Sequence, residues 1–326
     1  MKKLFFLLAC GTLLLNACSK NEKPITGDTP EAEAPLPQGR RCASMDVLKD
    51  QLAKDPSLAG RMARIEELTG RLAKDQSLMR LLPDGSIEIP VAVNVLYRTA
   101  AQNISLAQIQ SQIDILNKDY NGLNSEYGSV PYYNSVKAAV GIHFVLDTVV
   151  RKSTTRTSWG TNDQMKRTST GGLNAITPDS VLNIWIVGAM TGGVIGYAQF
   201  PGGTAATDGV VIVHSCFGNT GTAAAPFNLG RTATHEIGHW LNLRHIWGDA
   251  NCGNDLVGDT PLHNEENYGC PTLPHYSTCT GTPIEMTMNY MDYTDDACMY
   301  MFSAGQRTRM LAVFASGGPR NSFAQP

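Results

Sequence analysis

The chain has no surplus of either charge: 26 Lys and Arg face 29 Asp and Glu, a formal net charge of -3 at pH 7 over 326 residues. With no basic cluster it has no polyelectrolyte surface, and nucleic acid is excluded as an expected partner. No internal repeat recurs along it, which excludes a repeat array. Nor is there an apolar run long enough for a permanent transmembrane anchor. The run from Leu4 to Leu15 is short, follows Lys2 and Lys3, and ends at Leu15-Asn16-Ala17-Cys18. Those flanks read as an export signal over residues 1–18, with a small residue before Cys as at a bacterial lipoprotein cleavage site. Cys18 would become a lipidated N-terminus, so the only membrane contact expected is a lipid anchor at the cell envelope or surface, from which a secreted form could be released.

Large apolar residues are scarce between residues 19 and 41, where Pro24, Pro30, Pro35 and Pro37 stand among Glu, Thr, Ala and Gly. Such a stretch cannot bury a core and is expected to be a tether. From Met45 to Leu82 the spacing turns helical, with Val47, Leu48 and Leu52, then Leu58, Met62, Ile65 and Leu68 after Pro56. Tether and helical segment together make up residues 19–85, and residues 86–326 are expected to form one catalytic-size domain. There Ile87, Ile89, Val91, Val93 and Val95 alternate as in a strand with one buried face, and Ser105 caps a helix carrying Ile109, Ile113 and Leu116. Further strands are expected at Gly141 to Val150, Val181 to Val187, Gly196 to Phe200 (a sheet edge) and Gly209 to Val213. That alternation predicts an α+β or mixed α/β fold, a twisted mixed sheet packed on helices.

The chemistry concentrates in His235-Glu236-Ile237-Gly238-His239-Trp240-Leu241-Asn242-Leu243-Arg244-His245. On a helix, imidazoles four residues apart project from one face about 40° apart, so His235 and His239 can reach one ion. Leu229, Ala233, Ile237 and Leu241 would form the packing stripe opposite. His245 would point away from the ion on a continued helix, so the chain is expected to turn just after Leu241. Asn242 is the residue type that, after glycine, best tolerates positive φ. Three neutral imidazoles with an open fourth position describe a catalytic zinc site. Glu236 is then placed as general base toward a water activated by the ion.

Three more stretches carry chemistry. Arg40-Arg41-Cys42-Ala43 puts a thiol beside two guanidinium groups, which should lower its pKa and favour a zinc-ligating thiolate. Asp255, Val257, Asp259 and Thr260 offer carboxylates and carbonyls suited to calcium, without the EF-hand pattern. Cys252, Cys270, Cys279 and Cys298 crowd a loop-rich stretch where two disulfides are natural staples, in any of three connectivities, and imply an oxidising compartment. Cys216, in an apolar run, reads as a buried inert thiol.

With Ile246-Trp247-Gly248-Asp249, Asn254-Asp255-Leu256-Val257-Gly258-Asp259-Thr260-Pro261 and Met288-Asn289-Tyr290-Met291-Asp292-Tyr293, the zinc motif resembles the pappalysin branch of the metzincin proteases over about residues 87 to 320. The resemblance implies a secreted or surface-anchored zinc endopeptidase made as a zymogen, acting on peptides or proteins, with a structural calcium ion. It implies Met291 as the Met-turn methionine under the zinc, Tyr293 as a hydrogen-bond donor to the substrate carbonyl, and disulfides Cys252 to Cys279 and Cys270 to Cys298. Cys42 would take the fourth zinc position in the zymogen. Asp295 and Asp296 would wall the pocket for the residue after the scissile bond, favouring Arg. Self-maturation is then expected before Arg71 or Arg80. A monomer is expected. The alternative from another class is a non-proteolytic, zinc-stabilised surface binding protein, which would not need Glu236.

Overall fold

In the computed structural model the described residues are Met1, 39–75, 77, 85–129 and 131–323. The export signal, Cys18 and most of the tether lie outside them. Two compact units divide the chain, Met1–Pro35 and Leu36–Pro326.

The centre of the second is a five-stranded sheet ordered β3-β1-β4-β6-β5, from β1 (Ile87–Tyr97), β3 (Ile142–Ser153), β4 (Leu182–Val187), β5 (Gly196–Ala198) and β6 (Val210–Val213). Four strands are parallel, and β5 closes one edge antiparallel to β6. A bulge between Val91 and Ala92 leaves Asp147 of β3 without a partner on β1. The strand β1 is not one-faced as its alternation suggests: only Glu88 is exposed, and from Val91 to Leu96 every residue is buried. The cause is its central place, since both faces of a parallel strand are covered. On one side lie α3 (Leu106–Asp119) and α4 (Arg231–Trp240), whose Ile109, Ile113, Ala233 and Ile237 join the main core. On the other, Leu96, Trp185, Tyr197 and Val211 pack with Trp159 and Met165. Ser105 caps α3 by accepting the Gln108 N–H at 3.1 Å.

The helical pattern after residue 44 resolves into α1 (Ser44–Lys54) and α2 (Ser57–Leu72), separated by Asp55 and Pro56. Leu48 and Leu58 pack on Phe200, while Leu68 and Leu72 enter the main core. Arg71 therefore sits in the last turn of α2, and the Gly70–Arg71 bond is helical, not part of a flexible connection as expected from sequence. The Met79–Arg80 bond lies outside the described residues.

Gly230, at φ 74°, starts α4, so Leu229 precedes the helix and the buried stripe is Ala233, Ile237 and Leu241. After α4 the chain makes few regular elements until β7 (Phe302–Ser303), which pairs with β2 (Lys137–Ala138), and α5 (Ala304–Ala312), which opens on a Ser303/Gln306 capping box. Disulfides Cys252–Cys279 and Cys270–Cys298 interleave across that stretch, and Cys42 and Cys216 are free and buried. Among the described residues no helix is long and apolar enough to cross a membrane.

Candidate active site

Helix α4 presents His235 and His239 on one face. Leu241 caps it, Asn242 reverses the chain at φ 74°, and His245 returns to the same centre. The His239 Nε2 lies 3.1 Å from both His235 Nε2 and His245 Nε2. Each ring is oriented from behind. The Nδ1 of His235 meets the Tyr290 carbonyl at 2.7 Å, that of His239 the Leu243 carbonyl at 2.8 Å, and that of His245 an Asp249 carboxylate oxygen at 2.6 Å. Acceptors behind Nδ1 keep the proton there and turn three Nε2 lone pairs on one another. Burial and the adjacent imidazoles push His235 and His239 well below the usual pKa, so both are neutral. Three converging lone pairs without a proton between them repel unless a cation sits among them. Tetrahedral zinc with bonds of about 2.0–2.1 Å spaces its nitrogen ligands by about 3.3 Å, close to what is seen. The donor set fits zinc.

The fourth corner belongs to Cys42, whose Sγ and the three ring nitrogens all lie within 4.8 Å of one another. The expected cause of a lowered thiol pKa is absent. Arg40 turns away to Asp296 and Arg41 to the Gly192 carbonyl at 2.7 Å. Burial and the neighbouring Glu236 carboxylate raise the Cys42 thiol well above its ordinary range. Only a bound cation could hold a thiolate here.

Glu236 is buried beside the cluster, its pKa raised to about 7 by desolvation. The Ser44 hydroxyl donates to its Oε2 at 2.8 Å and accepts the Ala198 N–H at 2.8 Å, while the Cys42 Sγ stands 3.3 Å from the same carboxylate oxygen. The Ser44 contact had no signal in the sequence beyond proximity to Cys42. Gly196 of β5 passes so close that an added Cβ would stand 2.8 Å from Glu236 Oε1, so the strand needs glycine there.

Residues Arg41 to Ala43 run along the β5 edge. The Arg41 carbonyl accepts the Ile195 N–H at 3.0 Å and Ala43 N–H donates to the Gly196 carbonyl at 3.1 Å, an isolated parallel bridge. Opposite, the Tyr293 hydroxyl donates to the Cys42 carbonyl at 3.2 Å and accepts the Cys42 N–H at 3.3 Å. Met291 is fully buried, its Sδ so near Gly238 that an added Cβ there would stand 2.5 Å from it. Trp247 stacks on His245 with ring centroids 4.3 Å apart and planes 5° from parallel.

The two aspartates after the Met-turn separate. Asp296 is buried: its Oδ1 pairs with the Arg40 guanidinium at 2.6 Å, and its Oδ2 accepts the Leu229 N–H at 2.8 Å and the Arg231 N–H at 3.2 Å. Asp295 is half-buried and does not take Arg40. Arg40 also donates to Thr232 Oγ1 at 3.0 Å and to the Thr294 carbonyl. In the loop after the three histidines, Asp255 accepts from Thr260 Oγ1 and from the Val257 N–H. Asp259 does not join them: its carboxylate accepts from Ser303 Oγ at 2.6 Å and the Gly305 N–H at 2.8 Å, at the start of α5.

Fold and site together define a metzincin-type zinc metallopeptidase. The family model for pregnancy-associated plasma protein-A matches residues 174–315. An extracellular metalloprotease of Pyricularia oryzae is 34% identical over 222 residues, covering 66% of this chain and 70% of that protein. The structure of mature mirolysin from Tannerella forsythia in complex with a cleaved peptide is 42% identical and superposes with a TM-score of 0.71, covering 74% of this chain and 96% of that one. A promirolysin mutant from Tannerella forsythia, 38% identical with a TM-score of 0.77, covers 87% of this chain and 97% of that one. The chain belongs to the pappalysin family and is a metalloendopeptidase. The promirolysin match extends over more of this chain than the mature one, in keeping with a zymogen.

Proposed function

We propose that this chain is the zymogen of an endopeptidase that cuts peptide bonds before arginine, with residues 39–72 as its inhibitory segment. The supporting observation is Arg40, a guanidinium seated on a buried carboxylate two residues from the thiol that completes the metal cluster. A pocket that takes this arginine from the inhibitory segment is suited to one from a substrate, and a planar fork suits it better than an ammonium. Asp296, not Asp295, is the specificity residue in this reading.

His235, His239 and His245 would hold zinc, with Cys42 as fourth ligand until the segment leaves. Bound there, zinc polarises a carbonyl and acidifies water. Glu236, whose carboxylate stands 3.3 Å from the Cys42 Sγ at the fourth position, serves as general base and then as acid toward the departing amine. The Tyr293 hydroxyl, which grips the Cys42 backbone, would hydrogen-bond the substrate carbonyl oxygen once that backbone is gone. Substrate would add along the β5 edge that Arg41 to Ala43 now occupy. We further propose a calcium ion on Asp255, Thr260 and the Val257 carbonyl, which Thr260 Oγ1 already draws within 3.0 Å. An N-terminal lipid on Cys18 would tether the exported protein.

The test is Glu236→Ala in the matured enzyme, combined with mass spectrometry of peptides cut from a denatured protein by the parent. Zinc should stay bound while activity falls by orders of magnitude, and new N-termini should be mainly arginine. Cleavage chiefly before apolar residues would reject the Asp296 pocket.

A further inference from the structure

Far along the segment from Cys42, helix α2 carries a second polar attachment. The Glu66 carboxylate receives two parallel N–H bonds from Arg309 of α5, Nη1 reaching Oε2 at 2.7 Å and Nη2 reaching Oε1. The Asn242 Nδ2 lies 3.3 Å from the same Oε1. Arg309 Nε donates to the Asn242 carbonyl at 2.8 Å, which fixes the plane of the guanidinium before any carboxylate arrives. The Arg309 side chain is 3% exposed and that of Glu66 32%. Receptor and guest thus come from opposite sides of the segment boundary. Arg309 and Asn242 lie on the metal-binding side, and Glu66 is the only acid of α2 that reaches them, Glu67 making no such contact among the described residues. Arg61, one turn earlier, adds an Nε to Gly202 carbonyl bond at 2.6 Å.

We propose that Arg309 and Asn242 form a carboxylate-binding site whose occupant is Glu66, and that this site keeps the inhibitory segment bound after the chain is cut beyond α2. The proposal rests on the zymogen reading above. Leu68 and Leu72 bring apolar contact, but the bidentate fork sets the register of α2, so the cut segment is a non-covalent inhibitor held at two separate points. A single cut would then not release activity; displacement or a second cut within residues 39–72 must follow. The site also touches the metal centre through Asn242, whose carbonyl Arg309 holds between the second and third histidines.

The experiment adds a synthetic peptide of residues 39–72 to the self-matured enzyme and measures inhibition constants. Three peptides are compared: parent, Glu66→Gln and Arg40→Ala. Glu66→Gln should weaken inhibition about tenfold to a hundredfold, as for hydrogen bonds to a charged group, and its inhibition should lose part of the parent's salt dependence. Against an Arg309→Gln enzyme the parent and Glu66→Gln peptides should inhibit alike, because the fork is gone for both. Equal inhibition of the unmodified enzyme by parent and Glu66→Gln peptides, with Arg40→Ala much weaker, would overturn this inference and leave the zymogen reading intact. No inhibition by any peptide would overturn both.

Discussion

Arg40→Ala in the precursor isolates the cleft anchor from the thiol. The guanidinium makes a 2.6 Å ion pair with Asp296 at side-chain exposures of 1% and 0%, and a 3.0 Å bond to Thr232. Removing one member of a buried, hydrogen-bonded charge pair costs about 2–5 kcal/mol, mostly for the charge left behind. Here that charge is not abandoned, because Asp296 Oδ2 still accepts the Leu229 and Arg231 N–H groups. The lower end applies, about 2–3 kcal/mol, which is roughly thirty- to a hundred-and-fiftyfold in the equilibrium between covered and open cleft. The assay is the initial hydrolysis rate of a small fluorogenic peptide by the precursor, read before processing appears on a gel. Arg40→Ala should raise that rate toward the same factor. Arg40→Lys should fall between, since an ammonium keeps the charge but not the fork. An Arg40→Ala precursor as silent as its parent, alongside an active Cys42→Ala precursor, would refute the anchoring role.

Two further outcomes are expected. Asp249→Asn, which removes the charge behind His245 Nδ1 but keeps an acceptor oxygen, should weaken zinc binding in chelator competition by about ten- to a hundredfold; unchanged affinity would make Asp249 a bystander. Removing calcium at fixed zinc should lower the melting temperature, because an ion that binds only the folded state stabilises it, by about 2.7 kcal/mol at a hundred times its dissociation constant. No shift would mean that Asp255 and Thr260 only shape a turn.

The metal cluster was readable in the sequence because helical periodicity converts a four-residue interval into a direction, and Asn242 marks where the helix must end. The partners that complete it were not. Asp249 and the carbonyls of Tyr290 and Leu243 orient the rings from chain positions that no spacing rule connects to them. Arg40 lies two residues before Cys42 without bonding to the thiol: its guanidinium serves Asp296, and the charge that acts on the thiol is the Glu236 carboxylate, 194 residues along the chain. Alternation in β1 described a strand correctly but could not reveal that both its faces are covered, which depends on what arrives from residues 159 to 213. The bond between Asp259 and Ser303 at the start of α5, 44 residues further on, was hidden for the same reason.

The interleaved disulfides have a consequence for when the enzyme can exist. Met291 and Tyr293 lie inside the loop closed by Cys270 and Cys298, which itself overlaps the loop closed by Cys252 and Cys279. That stretch has little regular structure to shape it otherwise. Where thiols stay reduced, the floor and one wall of the cleft would have no staples, even with the zinc helix already formed. A working site is then expected only once the chain meets an oxidant, a condition on timing that comes before the proposed inhibitory segment and is independent of it.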